Sequence, residues 1–369
     1  IPAHLRQWLG NVSDTQLNNL FVRIRIREYG DPLGDVAKEV RGFQLQVIVI
    51  DLRHNPKKGI RNRLPDKRQN AVDALKLLNI LERSDFISNN TTGIMQIIES
   101  LEKMQEVALK ANTAGKHIAL VATSGALNAG HAALIERASS EGDLVVVTAI
   151  VNPTEFGPNE DYQRYPRNSS GDAEFCEREK VDVLFRPLAR DLFPEEYSIS
   201  VSESKVSNGL CGISRPHYFS GVCTFFTVLF NLIQPDHLIL GQRDAQKNAV
   251  LRKLVKELFL PVEIHVIDTV REESGLAYNT RNAYLNDFQE KDAATLYKAL
   301  LEGKKLADSG ITNVDRVLAE VTHHISQVRR LRVIYVAAVD PDSMEPVRPE
   351  IITDRTLVMA AVWCDEVRL

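Results

Sequence analysis

The chain has 369 residues, and its 45 lysines and arginines against 49 aspartates and glutamates give a formal net charge of −4. Apolar residues make up 44% and charged residues 25%, which excludes collagen-like, disordered and disulfide-scaffold proteins. The length predicts two or three domains. Residues 1–90 hold 15 basic and 10 acidic side chains, so the rest of the chain is net acidic. This asymmetry indicates that the first quarter is a separate unit.

The four cysteines indicate a reducing compartment, because they form no C-x-x-C pair and have no histidine at zinc-ligand spacing. No apolar run approaches the ~18 residues of a membrane span. The basic loop at 51–68 lacks the interleaved aromatic residues that base stacking requires. We therefore expect a cytoplasmic protein with neither a membrane nor a nucleic acid as its partner.

The first ninety residues predict a small α/β module. Residues 21–27 alternate apolar and basic side chains, which is typical of a half-buried strand, and residues 44–53 form a β-branched run typical of a buried one. The polar stretch S-N-N-T-T-G at 88–93 is typical of a linker. We place an N-terminal module at 1–90, and its role stays open.

Residues 91–272 predict a doubly wound parallel sheet, because short apolar strands alternate with helical patterns. Residues 273–369 change to helices followed by two strands, which predicts a smaller α+β domain. The predicted strands after HIALVAT are 144–151, 181–185, 237–241 and 262–267, and the predicted helices lie near 131–140, 171–180, 220–233, 244–259, 288–308 and 313–328.

The strand-to-helix turn within 121–138 has the composition of a phosphate-binding turn. Gly125 and Gly130 punctuate it, and a helix begins near His131. Glycine lets the backbone approach a phosphate, and the helix start offers free N–H groups and the positive end of the helix dipole. Tight packing of a strand against a helix requires the same pattern, so this turn alone leaves a purely structural role open.

A second such turn lies within 238–255, where Arg243 and Asp244 follow Gly241. Arg243 would contact phosphate oxygens and Asp244 would accept ribose hydroxyls. The alternative is an aspartate N-cap beside a surface arginine. Two such turns at one sheet edge favour a nucleotide ligand.

Long motifs recur from about residue 95 to the end, among them VVVTAIVNPTEFGPNEDYQRYPR, LCGISRPHYFSGVCTFFTVLFNLIQPD, GQRDAQKNAVLRKLVKEL and PVEIHVIDTVREESGLAYNTRNAYL. This region resembles the pantothenate synthetase (pantoate–β-alanine ligase) family of H-x-G-H nucleotidyltransferases. The resemblance implies a Rossmann-like ATP-binding domain with a C-terminal lid domain, and a homodimer. It also implies ATP and Mg²⁺ as cofactors and an acyl-adenylate formed from a carboxylic acid, which an amine then attacks.

The resemblance also implies roles by motif position. Asn128 and His131 stand at the two histidine positions of H-x-G-H, Arg243 at the lysine of G-E-K-D and Arg281 in the element that closes over the triphosphate; these four are the implied catalytic residues. The implied nucleotide-binding residues are Thr123, Gly125, Gly130, Gly241, Asp244, Asn279 and Thr280. The implied substrate-binding residues are Ser124, Asn152, Glu155, Tyr165 and Lys247, and Asp172 is the implied metal ligand.

Several of these positions depart from the family pattern. Asn128 keeps a hydrogen-bond donor but cannot become cationic, and Arg243 keeps the charge of lysine with a different geometry. Tyr218 replaces a histidine, and Asn279 and Thr280 replace a serine pair. These changes leave a non-catalytic, regulatory homologue open as an alternative to an enzyme.

The sharpest departures concern the acid pocket, where Glu155 and Lys247 replace two glutamines that hold pantoate in the family. A carboxylate facing the substrate favours a cationic group such as an amino acid's ammonium, and Lys247 would hold the substrate carboxylate. One hypothesis is therefore that the acid is not pantoate. The alternative is that Glu155 and Lys247 pair with each other and pantoate still binds. Ligation of pantoate to β-alanine is the default prediction.

A shorter resemblance concerns residues 19–56, which are similar to the core of tail-specific (S41-type) proteases. A strand in that core ends in D-L-R-x-N-P-G-G, but Lys57 and Lys58 stand at the two glycines here. We do not expect protease activity, and a docking, regulatory or oligomerising role is left open.

Overall fold

The computed structural model describes residues 95–347 and 352–369. The predicted N-terminal module at 1–90, the linker at 88–93 and the protease-like segment at 19–56 lie outside these residues. Within the described part of the chain, no helix is long and apolar enough to cross a membrane.

Six parallel strands form the central sheet, as the alternation of strands and helices predicts. Their order in the sheet is β1-β4-β3-β2-β5-β6. The strands are β1 (Gln96–Ile98), β2 (Ile118–Thr123), β3 (Leu144–Ala149), β4 (Val183–Phe185), β5 (His237–Gly241) and β6 (Glu263–Ile267). The helices between them are α1 (Leu101–Thr113), α2 (Ala129–Glu141), α3 (Ser169–Arg178), α4 (Ala189–Leu192), α5 (Cys211–Ser214), α6 (Tyr218–Ile233) and α7 (Ala245–Glu257).

Both faces of the sheet are covered by helices, which explains why its strands are continuous apolar runs. Met104 of α1, Leu229 of α6 and Leu251 of α7 are buried on one face. Ile135 of α2 and Cys176 of α3 are buried on the other. The central strands are therefore held rigidly, and the turns that leave them are positioned by a packed core.

The direction of the strand order reverses between β2 and β5. From β2 the sheet grows through β3 and β4 on one side, whereas β5 and β6 lie on the other side. At such a point the two connections leave the sheet in opposite directions, and a crevice opens at the carboxyl ends of the strands. The turns after β2 and β5 are the two turns that the sequence singles out.

The C-terminal part is α+β, as predicted. Its antiparallel sheet has the order β7-β8-β9, and Val321 and Ile325 of the last helix pack beneath it with Ala299. The elements are α8 (Asp287–Ala293), α9 (Thr295–Asp308), α10 (Val314–Ser326), β7 (Leu331–Val339), β8 (Leu357–Cys364) and β9 (Val367–Arg368). The helix predicted at 288–308 is two helices, because the chain breaks at Ala294.

Candidate active site

A cleft of about 950 Å³ opens at the carboxyl ends of β2 and β5, and residues of the C-terminal part line its other side. The structure brings most of the sequence-predicted site residues together in it. Those that line the cleft are Thr123, Ser124, Asn128, Gly130, His131, Glu155, Tyr165, Gly241, Arg243, Asp244, Lys247, Asn279, Thr280 and Arg281. Gly125, Asn152 and Asp172 do not line it: Gly125 and Asn152 each contact a residue that does, and Asp172 holds the turn after β2.

The turn after β2 is fixed from below by Asp172. This buried carboxylate of α3 accepts the backbone N–H of Ala126 at 3.0 Å and that of Leu127 at 2.8 Å. Gly125 has a φ of +80°, and a Cβ there would lie 2.8 Å from Asp172 Oδ2, so both the conformation and the space require glycine. Thr123 Oγ1 accepts the Gly125 N–H at 3.1 Å. The geometry therefore favours a positioning role for Asp172 over the metal-ligand role that motif position implies.

Asn128 and His131 form a capping box at the start of α2. Asn128 Oδ1 accepts the N–H of Gly130 at 3.1 Å, and the Asn128 N–H donates to His131 Nδ1 at 3.1 Å. Because Nδ1 is an acceptor, the neutral ring carries its proton on Nε2. Burial, with Arg243 and Lys247 nearby, lowers the pKa of His131 to about 4. His131 is therefore a neutral N–H donor at physiological pH.

Three charged side chains lie in the turn after β5 and the start of α7, on the other side of the crevice. Lys247 Nζ donates to Asp244 Oδ2 at 2.7 Å, and Arg243 Nη1 donates to the carbonyl of Tyr278 at 3.2 Å. The adjacent cations hold the pKa of Asp244 far below its usual range, and Asp244 raises the pKa of Lys247 despite its burial. Asp244 stays ionised and orients Lys247, so Lys247 does not pair with Glu155.

Glu155 lies in the short 3₁₀ turn after β3, and Asn152 holds it there. Asn152 Nδ2 donates to Glu155 Oε1 at 3.0 Å and to the carbonyl of Gly221 at 3.3 Å. Burial raises the pKa of Glu155, although Lys247 and the Asn152 hydrogen bond oppose this shift. Among the residues that the structure describes, Glu155 makes no ion pair within 4.0 Å. The pairing of Glu155 with Lys247 that the sequence left open is therefore wrong.

A loop from the C-terminal part covers the first turn. Thr280 Oγ1 donates to the carbonyl of Gly125 at 3.4 Å, and Asn279 caps the following 3₁₀ turn by accepting the Arg281 N–H at 3.2 Å. Arg281 makes a bidentate ion pair with Asp161, at 3.0 and 2.9 Å, and its guanidinium lies 4.9 Å from the centre of the Tyr165 ring. Arg281 is thus held over the cleft by residues far away in the sequence.

Three further polar residues that line the cleft were not identified from the sequence: Glu160, Asp161 and Arg215. Arg215 donates to both oxygens of Glu160, at 2.6 and 2.7 Å, and lies 3.9 Å from the centre of the Tyr218 ring. Asp161 anchors Arg281. All three lie within motifs that carry the family resemblance, but only the folded chain brings Glu160 beside Arg215, 55 positions away.

Replacement of Asp172 tests its positioning role. We expect Asp172→Asn to lower the free energy of unfolding by about 2 kcal/mol, because one amide N–H of the turn loses its anionic acceptor and faces an NH₂ group. Urea unfolding of the full chain measures this loss. The matched control is Glu174→Gln, an exposed residue on the same helix, which should change stability by less than about 0.5 kcal/mol. Equal stability of the two variants would contradict the assignment.

Titration of the His131 ring tests its protonation state. NMR of histidine-labelled protein should give it a pKa near 4, against the usual 6.5. Since the unfolded state binds the proton first, His131 should favour the folded state above pH 6.5, and this contribution should fall as the pH drops from 6.5 through 4. The variant His131→Asn should lack this pH-dependent contribution to stability. A His131 ring that titrates at its ordinary pKa would overturn the conclusion that it acts as a neutral donor.

Comparisons with known proteins agree with this geometry. The family model described as pantoate-beta-alanine ligase matches residues 96–369. A pantothenate synthetase from Thermotoga petrophila is 40% identical over 275 residues, which are 74% of this chain and 98% of that protein. One from Thermotoga neapolitana is 41% identical over the same shares of both chains.

Solved structures give the same result. A pantothenate synthetase from Thermus thermophilus has a TM-score of 0.70 and 34% identity, over 74% of this chain and 97% of that one. A pantoate-beta-alanine ligase from Francisella tularensis, complexed with beta-gamma ATP and beta-alanine, has a TM-score of 0.62 and 28% identity, over 75% and 96%. The chain therefore belongs to the pantoate–β-alanine ligase family and is an ATP-dependent ligase.

Proposed function

We propose that this chain joins pantoate to β-alanine in two steps through an acyl-adenylate. The observation that carries the proposal is the meeting, in one cleft, of two strand-to-helix turns with three cationic side chains and a neutral histidine donor. The cations are Arg243, Lys247 and Arg281, and the donor is His131. Relatives in the family are named for this pair of substrates, and one was crystallised with an ATP compound and β-alanine.

ATP would bind with its phosphates against the start of α2. The positive end of the α2 helix dipole attracts anions there, and His131 adds an Nε2–H without adding a charge that needs a counterion. Gly130 packs so closely against the covering loop that a Cβ there would lie only 3.2 Å from the Tyr278 Cβ, so the close approach of this loop favours glycine. Arg243 and Arg281 would neutralise the phosphates from the two sides.

The first step transfers the adenylyl group. A carboxylate oxygen of the acid attacks the α-phosphorus, the bond to the β-phosphate oxygen breaks, and pyrophosphate leaves with the bonding electron pair. The negative charge that develops on the phosphate oxygens is what fixed cations and N–H donors stabilise. In the second step the uncharged amine attacks the acyl carbon, AMP leaves, and the amine gives up a proton. The chain contributes positioning and charge to both steps.

In the proposed reaction, Mg²⁺ takes part only as an ion bound to ATP. Four acidic side chains in or below the cleft already serve other groups: Asp244 pairs with Lys247, Asp161 with Arg281 and Glu160 with Arg215, while Asp172 holds backbone amides below the cleft. They do not fit a metal site made by the protein alone. Mg²⁺ binds chiefly through phosphate oxygens and water, so it would enter with the nucleotide.

The test follows the products of each step with the full chain. ATP–pyrophosphate exchange should require pantoate alone, and AMP release should require β-alanine as well. Arg243→Gln should lower kcat/KM by about 10²-fold, because a cation that faces the developing charge is lost. Arg178→Gln, an exposed arginine of α3 outside the cleft, is the matched control and should leave kcat/KM unchanged. Tight ATP binding without exchange for any acid would instead support a regulatory homologue.

A second candidate, the same chemistry on an amino acid, is favoured by Glu155. Its carboxyl group lines the cleft, while Lys247 is engaged by Asp244. An ionised Glu155 would attract an ammonium group, whereas a protonated Glu155 offers a donor and an acceptor as glutamine does. Burial raises the pKa of Glu155, whereas Lys247 and the Asn152 hydrogen bond lower it, so the choice between the two acids falls to experiment.

A panel of acids in the exchange assay decides between these candidates. If an amino acid is the substrate, exchange with that acid should exceed exchange with pantoate, and the double variant Glu155→Gln with Lys247→Gln should shift the preference toward pantoate. If pantoate is the substrate, it should be the preferred acid before and after this double replacement. Robust turnover with pantoate alone would rule out the second candidate. A homodimer and a cytoplasmic location stay predictions.

A further inference from the structure

A cluster of histidines and carboxylates lies at the end of the sheet opposite the cleft. His237 is the first residue of β5, whereas the cleft lies at the other end of this strand, where Ile239, Leu240 and Gly241 line it. His265 lies on the neighbouring strand β6, and Glu141 is the last residue of α2. No step of the proposed reaction uses these side chains.

The two imidazole rings face each other at a distance that suits a shared ion. His237 Nδ1 lies 3.1 Å from His265 Nε2. Two nitrogens bound tetrahedrally to one Zn²⁺ at about 2.0–2.1 Å are roughly 3.3 Å apart, so the ion would replace the hydrogen bond that joins the two rings, and the rings would turn until both nitrogens point at it. Both histidine side chains are mostly buried, at 17% and 13% exposure, which holds the rings in place.

Carboxylates complete the set of ligands. The oxygens of Glu263 lie 3.8 Å from His237 Nδ1 and 3.7 Å from His265 Nε2, and this side chain is 68% exposed, so it is free to close on an ion. Glu141, His237 and His265 each present a ligand atom within 4.8 Å of the others. These atoms come from three separate elements, which distinguishes the cluster from a run of acidic residues on one surface.

Glu141 also lies on the far side of the His265 ring, where its Oε1 is 3.8 Å from Nδ1. A metal-bound histidine usually directs its second nitrogen at a carboxylate, which fixes the tautomer. When Nε2 binds an ion, the ring proton moves to Nδ1 and points at Glu141. Arg137, which lies 3.4 Å from Nδ1 and pairs with Glu141, would then keep only its carboxylate partner.

We propose that this cluster is a binding site for a divalent transition-metal ion of the Zn²⁺ class. His237 Nδ1, His265 Nε2 and the Glu263 carboxylate are its ligands, and Glu141 orients His265. Imidazole and carboxylate donors suit Zn²⁺ better than Mg²⁺, which prefers oxygen ligands. The ion would tie β5 to β6 and thereby stabilise the sheet from the end opposite the cleft.

The test is a titration of the metal-free full chain with Zn²⁺ alone, without nucleotide, followed by calorimetry and by thermal unfolding. One Zn²⁺ should bind per chain and raise the Tm. His237→Gln and His265→Gln should each weaken binding at least tenfold and abolish the rise in Tm. Glu263→Gln should weaken binding less. Co²⁺ in place of Zn²⁺ should give the intense visible absorption of a tetrahedral site, and this absorption should be lost in both histidine variants.

The matched control removes two histidines elsewhere. His323 and His324 are neighbours on α10, and their double replacement by glutamine should leave Zn²⁺ affinity unchanged. Far-UV circular dichroism checks that each variant is folded, and Glu263→Gln tests the site should a histidine variant unfold. Ligase activity of the folded variants should match that of the unmodified chain, which separates this proposal from the proposed function. Failure of the unmodified chain to bind Zn²⁺, or equal binding by the histidine variants, would overturn the proposal.

Discussion

The reversal of strand order between β2 and β5 is the constraint on which the rest of the site depends. Because both strands are buried and parallel, their carboxyl ends meet at one edge, and their turns must leave in opposite directions. The strand order by itself therefore leaves a crevice at this edge of the sheet. What the sequence adds is rigidity, since Asp172 and Thr123 hold the first turn by hydrogen bonds that need no ligand.

The electrostatics of the cleft follow from pairing among its own residues. Asp244 and Asp161 each hold a cation, so Lys247 and Arg281 are oriented before a ligand arrives. His131 remains neutral because it is buried near Arg243 and Lys247, which lower its pKa. Asn128 caps α2 and orients the His131 ring through its backbone N–H. An asparagine at this position cannot become cationic as a histidine can, yet it completes the cap of α2.

The strands and most helices were predictable because long apolar runs and amphipathic patterns repeat over many residues. The three-residue strand β1 was not, since the apolar residues of Gln96–Ile98 are indistinguishable from the start of the helix that follows. The membership of the cleft was largely predictable from motif position. The ion-pair partners of these residues were not predictable. That Lys247 pairs with Asp244 rather than Glu155 depends on side-chain directions that spacing does not encode.

Hydrogen exchange with and without ATP tests whether the nucleotide binds between the two turns at the point where the strand order reverses. We expect slower exchange of backbone N–H groups at 124–131, 241–245 and 278–281 when ATP is bound, with no change in α10. Unchanged exchange at these three segments under saturating ATP, or protection confined to other parts of the chain, would contradict it.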